Sequence, residues 1–266
     1  PSDLGPIWLV GCGNMAGAML QRWLDAGLRP ERVTVIRPSG LAPAAGVRTV
    51  REVPNGEPPP RILLLGVKPQ KLGEVAVPVA TAIGADTMLV SILAGVELAT
   101  LGARFSKAGA VVRAMPNTPV ALGRGVVALY GEVGSRKEEL EALMRPLGLV
   151  EWAANENQFG KMAALAGCGP AFLFRFIDAV AEAGAALGLP ADQAARLATA
   201  TADGAAGLAA GSAESPAMLA DRVASPGGMT RKGLDVLDEN AALRDLLIRT
   251  LAAADRRGRE MAAEAR

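Results

Sequence analysis

Histidine is absent from all 266 residues. Imidazole is the side chain whose ordinary pKa lies nearest neutrality, so Ser-His-Asp and Cys-His nucleophile systems are excluded, as are dehydrogenases with a histidine acid and most zinc hydrolases. A reaction driven mainly by a cofactor suits that restriction. Aromatic residues amount to only 3%, too few for the stacking platforms that bind single-stranded nucleic acid. An excess of one charge is also missing. The chain has 28 Lys and Arg against 27 Asp and Glu, which leaves no electrostatic footprint for nucleic acid or an anionic membrane. Neither partner is expected. The two cysteines, Cys12 and Cys168, are far apart and form neither a metal-ligand spacing nor a disulfide framework, so no metal is expected. Apolar runs are broken by Gly, Pro or a charge before the roughly 18 residues that a membrane span needs. The segment Pro1 to Pro6 has no basic region followed by an apolar one, so it does not read as a signal peptide. A cytoplasmic protein is expected.

Half of the residues are hydrophobic, enough for one large core or two modest ones. The two halves differ in texture. From residue 7 to about 152, short aliphatic runs alternate with amphipathic stretches. Strands are expected at Ile7–Val10, Val33–Ile36, Val47–Val50, Arg61–Val67, Thr87–Ile92, Ala110–Met115, Val126–Tyr130 and Leu149–Trp152, with helices at Met15–Ala26 and Lys71–Ala82. Continuous apolar strands alternating with helices predict an α/β fold, a parallel sheet covered on both faces. After Asn155 the chain is Ala/Leu-rich at helical spacing, over Phe159–Leu187, Ala191–Ala210, Ser215–Val223, Met229–Leu237 and Ala241–Ala265. Its stops are Gly188-Leu189-Pro190, Gly211 and Ser225-Pro226-Gly227-Gly228. The expected organisation is therefore a Rossmann-type dinucleotide-binding domain over residues 1–154 and an all-α domain over 155–266. Those helices are apolar on more than one face, which is explained by burial in a dimer or by an overall hydrophobic surface.

The first strand runs into Gly11-Cys12-Gly13-Asn14-Met15-Ala16, a G-x-G-x-x-A fingerprint. Gly11 allows the tight turn, Gly13 lets backbone approach a pyrophosphate, and Ala16 permits close helix–strand packing. The amides opening the next helix supply donors and a positive dipole for phosphate. The second strand ends at Ile36-Arg37-Pro38-Ser39. No acid stands there to bind a ribose 2′-hydroxyl, whereas Arg37 and Ser39 are suited to a 2′-phosphate, so NADPH is expected in preference to NADH. Val67-Lys68-Pro69 ends another strand, with Lys68 within reach of ribose or phosphate. Ser91-Ile92-Leu93-Ala94-Gly95 is a similar element, whose small residues allow nicotinamide and substrate to approach backbone. In Arg113-Ala114-Met115-Pro116-Asn117-Thr118-Pro119, two prolines flank the polar pair of Asn117 and Thr118 at a strand end. Farther on, Ala166-Gly167-Cys168-Gly169-Pro170-Ala171 interrupts a helical pattern at a cost in helix stability. The segment 225–230 joins free amides to the Ser225 and Thr230 hydroxyls, a cradle suited to a carboxylate. A plain helix–helix turn is the alternative for each of these last two motifs, and for either motif alone it is slightly favoured.

Taken together and in order, Gly-Cys-Gly-Asn-Met, Val-Lys-Pro-Gln, Ser-Ile-Leu-Ala-Gly, Arg-Ala-Met-Pro-Asn-Thr-Pro, Gly-Cys-Gly-Pro-Ala-Phe and the segment Asp221–Leu234 resemble the Δ1-pyrroline-5-carboxylate reductase family, the last enzyme of proline biosynthesis. The final segment carries most of the resemblance, which spans essentially the whole chain. Departures occur at Cys168, where Ser is common, at Phe172, where Tyr is common, at Met229, where a small residue or Thr is usual, and at Ser215, where His is frequent. The resemblance implies NAD(P)H as hydride donor and a small cyclic imine bearing a carboxylate as substrate. It implies a homodimer with interleaved C-terminal helices, often assembled further into a larger ring. It also implies substrate contacts from Val223, Ser225, Gly228 and Thr230. Under this reading the amides of Gly227 and Gly228, with Ser225, hold the carboxylate, and Thr230 hydrogen-bonds the ring nitrogen, directly or through water. Gly11, Gly13, Asn14, Met15, Arg37, Ser39, Val67, Lys68, Pro69, Ala94, Gly95 and Asn117 form the expected cofactor set. Two alternatives stand beside it: a β-hydroxyacid dehydrogenase with Lys161 as acid, although Leu165 stands where that family has Asn, and a non-catalytic NADPH-binding protein.

Overall fold

A computed structural model describes residues 4–264. Pro1 to Asp3, part of the segment read against a signal peptide, and Ala265, the expected end of the last helix, lie outside the described residues. The sheet is built from β1 (Ile7–Val10), β2 (Val33–Ile36), β3 (Arg48–Val50), β4 (Ile62–Leu65), β5 (Met88–Ser91), β6 (Ala110–Pro116), β7 (Gly125–Glu132) and β8 (Gly148–Trp152). Its strand order is β3-β2-β1-β4-β5-β6-β7-β8, whose first six strands have the order of a dinucleotide-binding sheet.

β1, β2, β4 and β5 are buried at every position, and the alternation of side chains explains why each reads as an unbroken apolar run. Ile7, Leu9, Val33, Val35, Ile62 and Leu64 enter one core layer, while Trp8, Val10, Ile36, Leu63 and Leu65 enter the other. Helix α1 (Asn14–Asp25) covers the first layer with Ala16, Met19, Leu20 and Trp23, the i, i+3, i+4, i+7 stripe of an amphipathic helix. Helices α2 (Leu72–Ala82) and α3 (Leu98–Arg104) cover the second through Leu72, Ala76, Val79 and Leu101. Helix α4 (Lys137–Met144) returns to the first through Leu140, Leu143 and Met144. The link between β2 and β3 contains no helix.

One feature of the expected sheet is corrected. β6 and β7 pair antiparallel, whereas all the other strand pairs are parallel. A parallel crossover needs about a dozen residues or more, and only residues 117–124 are available. They form a 3₁₀ turn, Thr118–Leu122, closed by Gly123 at φ +68°, and the chain reverses.

The helical part comprises α5 (Glu156–Met162), a π-helical turn (Ala163–Gly167), α6 (Gly169–Ala186), α7 (Ala191–Gly211), α8 (Pro216–Arg222), α9 (Met229–Asp238) and α10 (Ala242–Glu264). The single helix expected over Phe159–Leu187 is therefore α5 and α6 joined through the π turn. Two compact units result: one runs through Pro170 and takes in the chain again from Ala254, and the other is Ala171–Ala253. The second unit leaves Phe174, Leu197, Leu208 and Ile248 at least half exposed, and α6 and α7 line an apolar groove with Phe176, Ile177, Val180 and Leu197. The expectation of no sufficiently long apolar stretch also needs correcting. Among the described residues, 156–186 form one helical stretch long and apolar enough, by length and composition, to cross a membrane. The π turn carries helical structure past Gly167 and Gly169, where a break was expected.

Leu20 is 1% exposed beneath the sheet, so Leu20→Ala should lower unfolding stability by about 2–5 kcal/mol. The urea midpoint measures this, with an unchanged slope.

Candidate functional site

The ends of β1, β2, β4 and β5 converge on the glycine loop. Gly11 has φ +85°, and a Cβ there would fall 2.8 Å from Val67 Cγ1 and 2.9 Å from the Gly66 carbonyl. Both the backbone conformation and the close approach demand glycine. Gly66 is constrained by close approach alone. Its missing Cβ would meet Ala16 Cβ and the Gly11 carbonyl oxygen at 3.0 Å and Ile92 Cδ1 at 3.7 Å. Gly66 was not singled out in the sequence because it belongs to no spaced motif. Gly13 caps α1 without a side-chain hydrogen bond, and no acid occupies the first turn. A Cβ on Gly13 would meet nothing within 4 Å. Free amides and open room above them are what a pyrophosphate requires, so the loop fits a dinucleotide. Asn14 is exposed and Met15 half-buried beside it.

At the end of β2, the Arg37 amide donates to Val50 O at 2.9 Å and the Gly40 amide to Arg37 O at 3.0 Å. The Ser39 hydroxyl accepts from the Leu41 amide at 3.3 Å. Arg51 lies against Gly40, with Nε 3.2 Å from the position of a Cβ there. The Arg37 charge acts on Cys12: burial pushes that thiol up and Arg37 draws it down, with burial prevailing. Cys12 is thus a protonated, half-buried thiol in the loop. Lys68 is exposed and Pro69 opens a 3₁₀ turn over Pro69–Lys71.

After β5, Ala94 is exposed and Gly95 has φ +75°, with Met261 of α10 packed on it: a Cβ would lie 3.2 Å from Met261 Cβ. Arg113, on β6, is buried. Its Nη1 donates to Glu156 Oε1, and its guanidinium sits 4.3 Å from the centre of the Phe159 ring. Burial pulls its pKa down to about 10, against the attraction of Glu97 and Tyr130, and it remains a cation at neutral pH. Asn117 is buried too. Its Nδ2 donates to Ala166 O in the π turn at 3.0 Å, and its Oδ1 accepts from the Val126 amide at 2.8 Å. This side chain therefore ties the strand end to the π turn and has one N–H left for a ligand. The Arg113–Glu156 pair and the π turn have no signature of fixed spacing; the one cue is a charged residue inside the otherwise apolar run Ala110–Met115.

In the unit Ala171–Ala253, Val223, Ser225, Gly227 and Thr230 are exposed and Gly228 half-buried. Gly227 has φ +73°. The Gly228 amide donates to Ser225 O at 3.0 Å, so it closes the turn. Gly228 also caps α9 without a side-chain bond, which leaves the first-turn amides of α9 and that of Gly227 to face a ligand. Arg231 Nη2 donates to Asp221 Oδ1 at 2.6 Å, bracing α8 against α9 on either side of this turn. Arg231 was not anticipated as part of the arrangement.

Comparison with known proteins bears on both parts. Residues 156–261 match the family model for pyrroline-5-carboxylate reductase dimerisation, and residues 6–95 match that for NADP oxidoreductase, coenzyme F420-dependent. The chain is 32% identical to a pyrroline-5-carboxylate reductase of Pseudomonas aeruginosa, covering 96% of each chain. It is 35% identical to one of Synechocystis, covering 96% of this chain and 97% of that one. Among solved structures it resembles a pyrroline-5-carboxylate reductase of Coxiella burnetii, with a TM-score of 0.85, 32% identity, and 97% and 99% of the two chains covered.

Gly11→Ala places a methyl group against the Gly66 carbonyl in a left-handed backbone. It should abolish measurable dinucleotide binding by calorimetry and destabilise the fold by about 1–3 kcal/mol.

Proposed function

The chain belongs to the pyrroline-5-carboxylate reductase family, and on that premise we propose that it reduces Δ1-pyrroline-5-carboxylate to L-proline with NADPH, the last step of proline biosynthesis. The observation that carries the reading is the uncapped start of α9, preceded by Ser225 and Gly227 and braced by the Arg231–Asp221 pair. It presents unpaired amides and hydroxyls to an anion and carries no acid in its first turn. A carboxylate suits that position.

The chemistry asks little of the protein by way of proton transfer. A protonated cyclic imine is already an electrophile. Its reduction adds a hydride, which reduced nicotinamide supplies when bound, to the imine carbon, and the ring nitrogen becomes a secondary amine. The work of this chain is placement. The α9 amides, the Gly227 amide and Ser225 hold the carboxylate, Val223 lies against the ring, and Thr230 hydrogen-bonds the nitrogen. Gly11, Gly13, Asn14 and Met15 take the pyrophosphate, and Val67, Lys68 and Pro69 flank it. Ala94, Gly95 and Asn117 border the nicotinamide side. A chain without histidine can do all of this. The exposed Ser225 and Thr230 speak against a protein that only senses NADPH.

NADPH is preferred to NADH in this reading because Arg37, Ser39 and Arg51 gather at the ends of β2 and β3. There is no acid between residues 37 and 51, and Arg51 adds a second cation to those read from the sequence. The nucleotide-binding part corresponds to residues 1–154 and the substrate and dimerisation part to 155–266, supported by the family match that begins at residue 156. The apolar faces of α6 and α7, with their groove, are covered by a second copy in a homodimer, which is also the reading given to the apolar stretch 156–186. Further assembly into a ring would add to that dimer. Both cysteines are free thiols, which fits the reducing conditions of a cytoplasmic setting.

Loss of nicotinamide absorbance that depends on pyrroline-5-carboxylate, with proline as product, tests the activity. No turnover despite NADPH binding would overturn it. Thr230→Ala should lower kcat by up to about tenfold with NADPH affinity unchanged; an unaltered kcat removes the role given to Thr230. Arg37→Ala should weaken NADPH by about tenfold or more and leave NADH nearly untouched, and equal losses with both would contradict the 2′-phosphate contact. Light scattering should give about twice 27.2 kDa or a multiple of that dimer, whereas a monomer would exclude the shared interface.

A further inference from the structure

We propose that Arg113 and Glu156 are positioning residues for the cofactor: as an ion pair between a buried guanidinium and a half-buried carboxylate they hold the loop Ala94–Glu97 in the place where it meets the nicotinamide end. The proposal rests on reading that loop as the nicotinamide side of the site.

Arg113 lies on β6 between Ser91 of β5 and Tyr130 of β7 in the ladder, in a strand whose other residues are apolar. A guanidinium kept there loses most of its hydration. Burial accordingly lowers its pKa, yet leaves it charged at neutral pH. As a means of gaining stability an ion pair with a buried cation is poor, since the desolvation of the guanidinium offsets much of the attraction. What it supplies is direction, because a planar guanidinium fixes its partners in orientation as well as distance.

Those partners are the elements around the cofactor loop. Glu156 Oε1 accepts from Arg113, while Glu156 Oε2 accepts from the Leu98 amide at 3.4 Å. Glu156 thus links the first residue of α3 to the core of the sheet. Glu97, next to Leu98, is drawn to the same guanidinium. Phe159 stacks beneath it, one turn along α5 from Glu156. Between the buried end of β5 and this anchor lie only Ile92 to Glu97, with Gly95 in the left-handed region. A loop so short, held at both ends, has little freedom to move. Misplacement of reacting groups by about 1 Å costs on the order of 100-fold in rate, so control of this loop bears directly on hydride transfer.

The test compares two ligands of one protein by calorimetry. NADPH spans both ends of the site, whereas 2′,5′-ADP carries only the adenosine half. Arg113→Met and Glu156→Gln should weaken NADPH by roughly tenfold and change 2′,5′-ADP by less than about twofold. Backbone hydrogen exchange over residues 94–98 should rise in both variants. Arg113→Lys, which keeps the charge and loses the fork, should fall between Arg113→Met and the unaltered protein. If a single variant does not fold, Arg113→Met combined with Glu156→Met removes both charges together and should show the same selective loss. Equal weakening of both ligands, or no change in either, would overturn the proposal and reduce the pair to a structural one. Failure of the unaltered protein to bind 2′,5′-ADP would overturn the cofactor reading itself, and the proposal with it.

Discussion

The nucleotide-binding unit depends on one close approach. Gly11 and Gly66, at the ends of adjacent parallel strands, lie so close that a Cβ on Gly11 would fall 2.9 Å from the Gly66 carbonyl, and one on Gly66 would fall 3.0 Å from both the Gly11 carbonyl oxygen and Ala16 Cβ. The rest follows from this contact. α1 can lie low across β1 and β4, so that Ala16, Met19, Leu20 and Trp23 reach the core. The first-turn amides of α1 then point across Gly13 into open space. A methyl group on Gly66 would press on Ala16 of α1, and one on Gly11 would press on the end of β4, each disturbing the loop that forms the anion site.

The unit Ala171–Ala253 obeys a different constraint. Its helices are long and rich in alanine, but Ala194, Ala198 and Ala224 are its only buried apolar residues, and large apolar side chains such as Phe174 and Leu208 remain in contact with water. A helix pair that leaves so much apolar surface open gains little from folding alone. The proposed cover of those faces by a second copy would account for their composition and for the apolar character of residues 156–186. The proposed dimer face and the proposed substrate turn at 223–230 thus fall in the same small unit, where the Arg231–Asp221 pair joins α8 to α9.

The fold was legible wherever the physics is local. Runs such as Ile62–Leu65 are apolar because both faces of the sheet are covered, and the loop Gly11–Ala16 announces itself by glycine spacing. The antiparallel turn at 117–124 was less visible, since two prolines mark an unusual loop without telling which way the chain leaves it. The π turn was seen only as Gly and Pro in a helical pattern, because α-helical and π-helical turns share their composition. Contacts between distant residues were the least visible. Arg113 and Glu156 are 43 positions apart, and the Asn117 side chain, read as a cofactor contact, bonds to Ala166 and Val126. The commitment of the Gly228 amide to Ser225 likewise depends on a turn geometry that the residues Ser-Pro-Gly-Gly permit and do not dictate.

The central claim is that this chain delivers a hydride to the carbon of a cyclic imine. Its most direct test uses NADPH deuterated at the transferable position of the nicotinamide, incubated with the enzyme and pyrroline-5-carboxylate, with the product examined by proton NMR. The expected product is L-proline with one deuterium at the ring CH2 next to nitrogen, the former imine carbon, on a single face. Proline without deuterium, label on both faces, or no proline at all would contradict that claim.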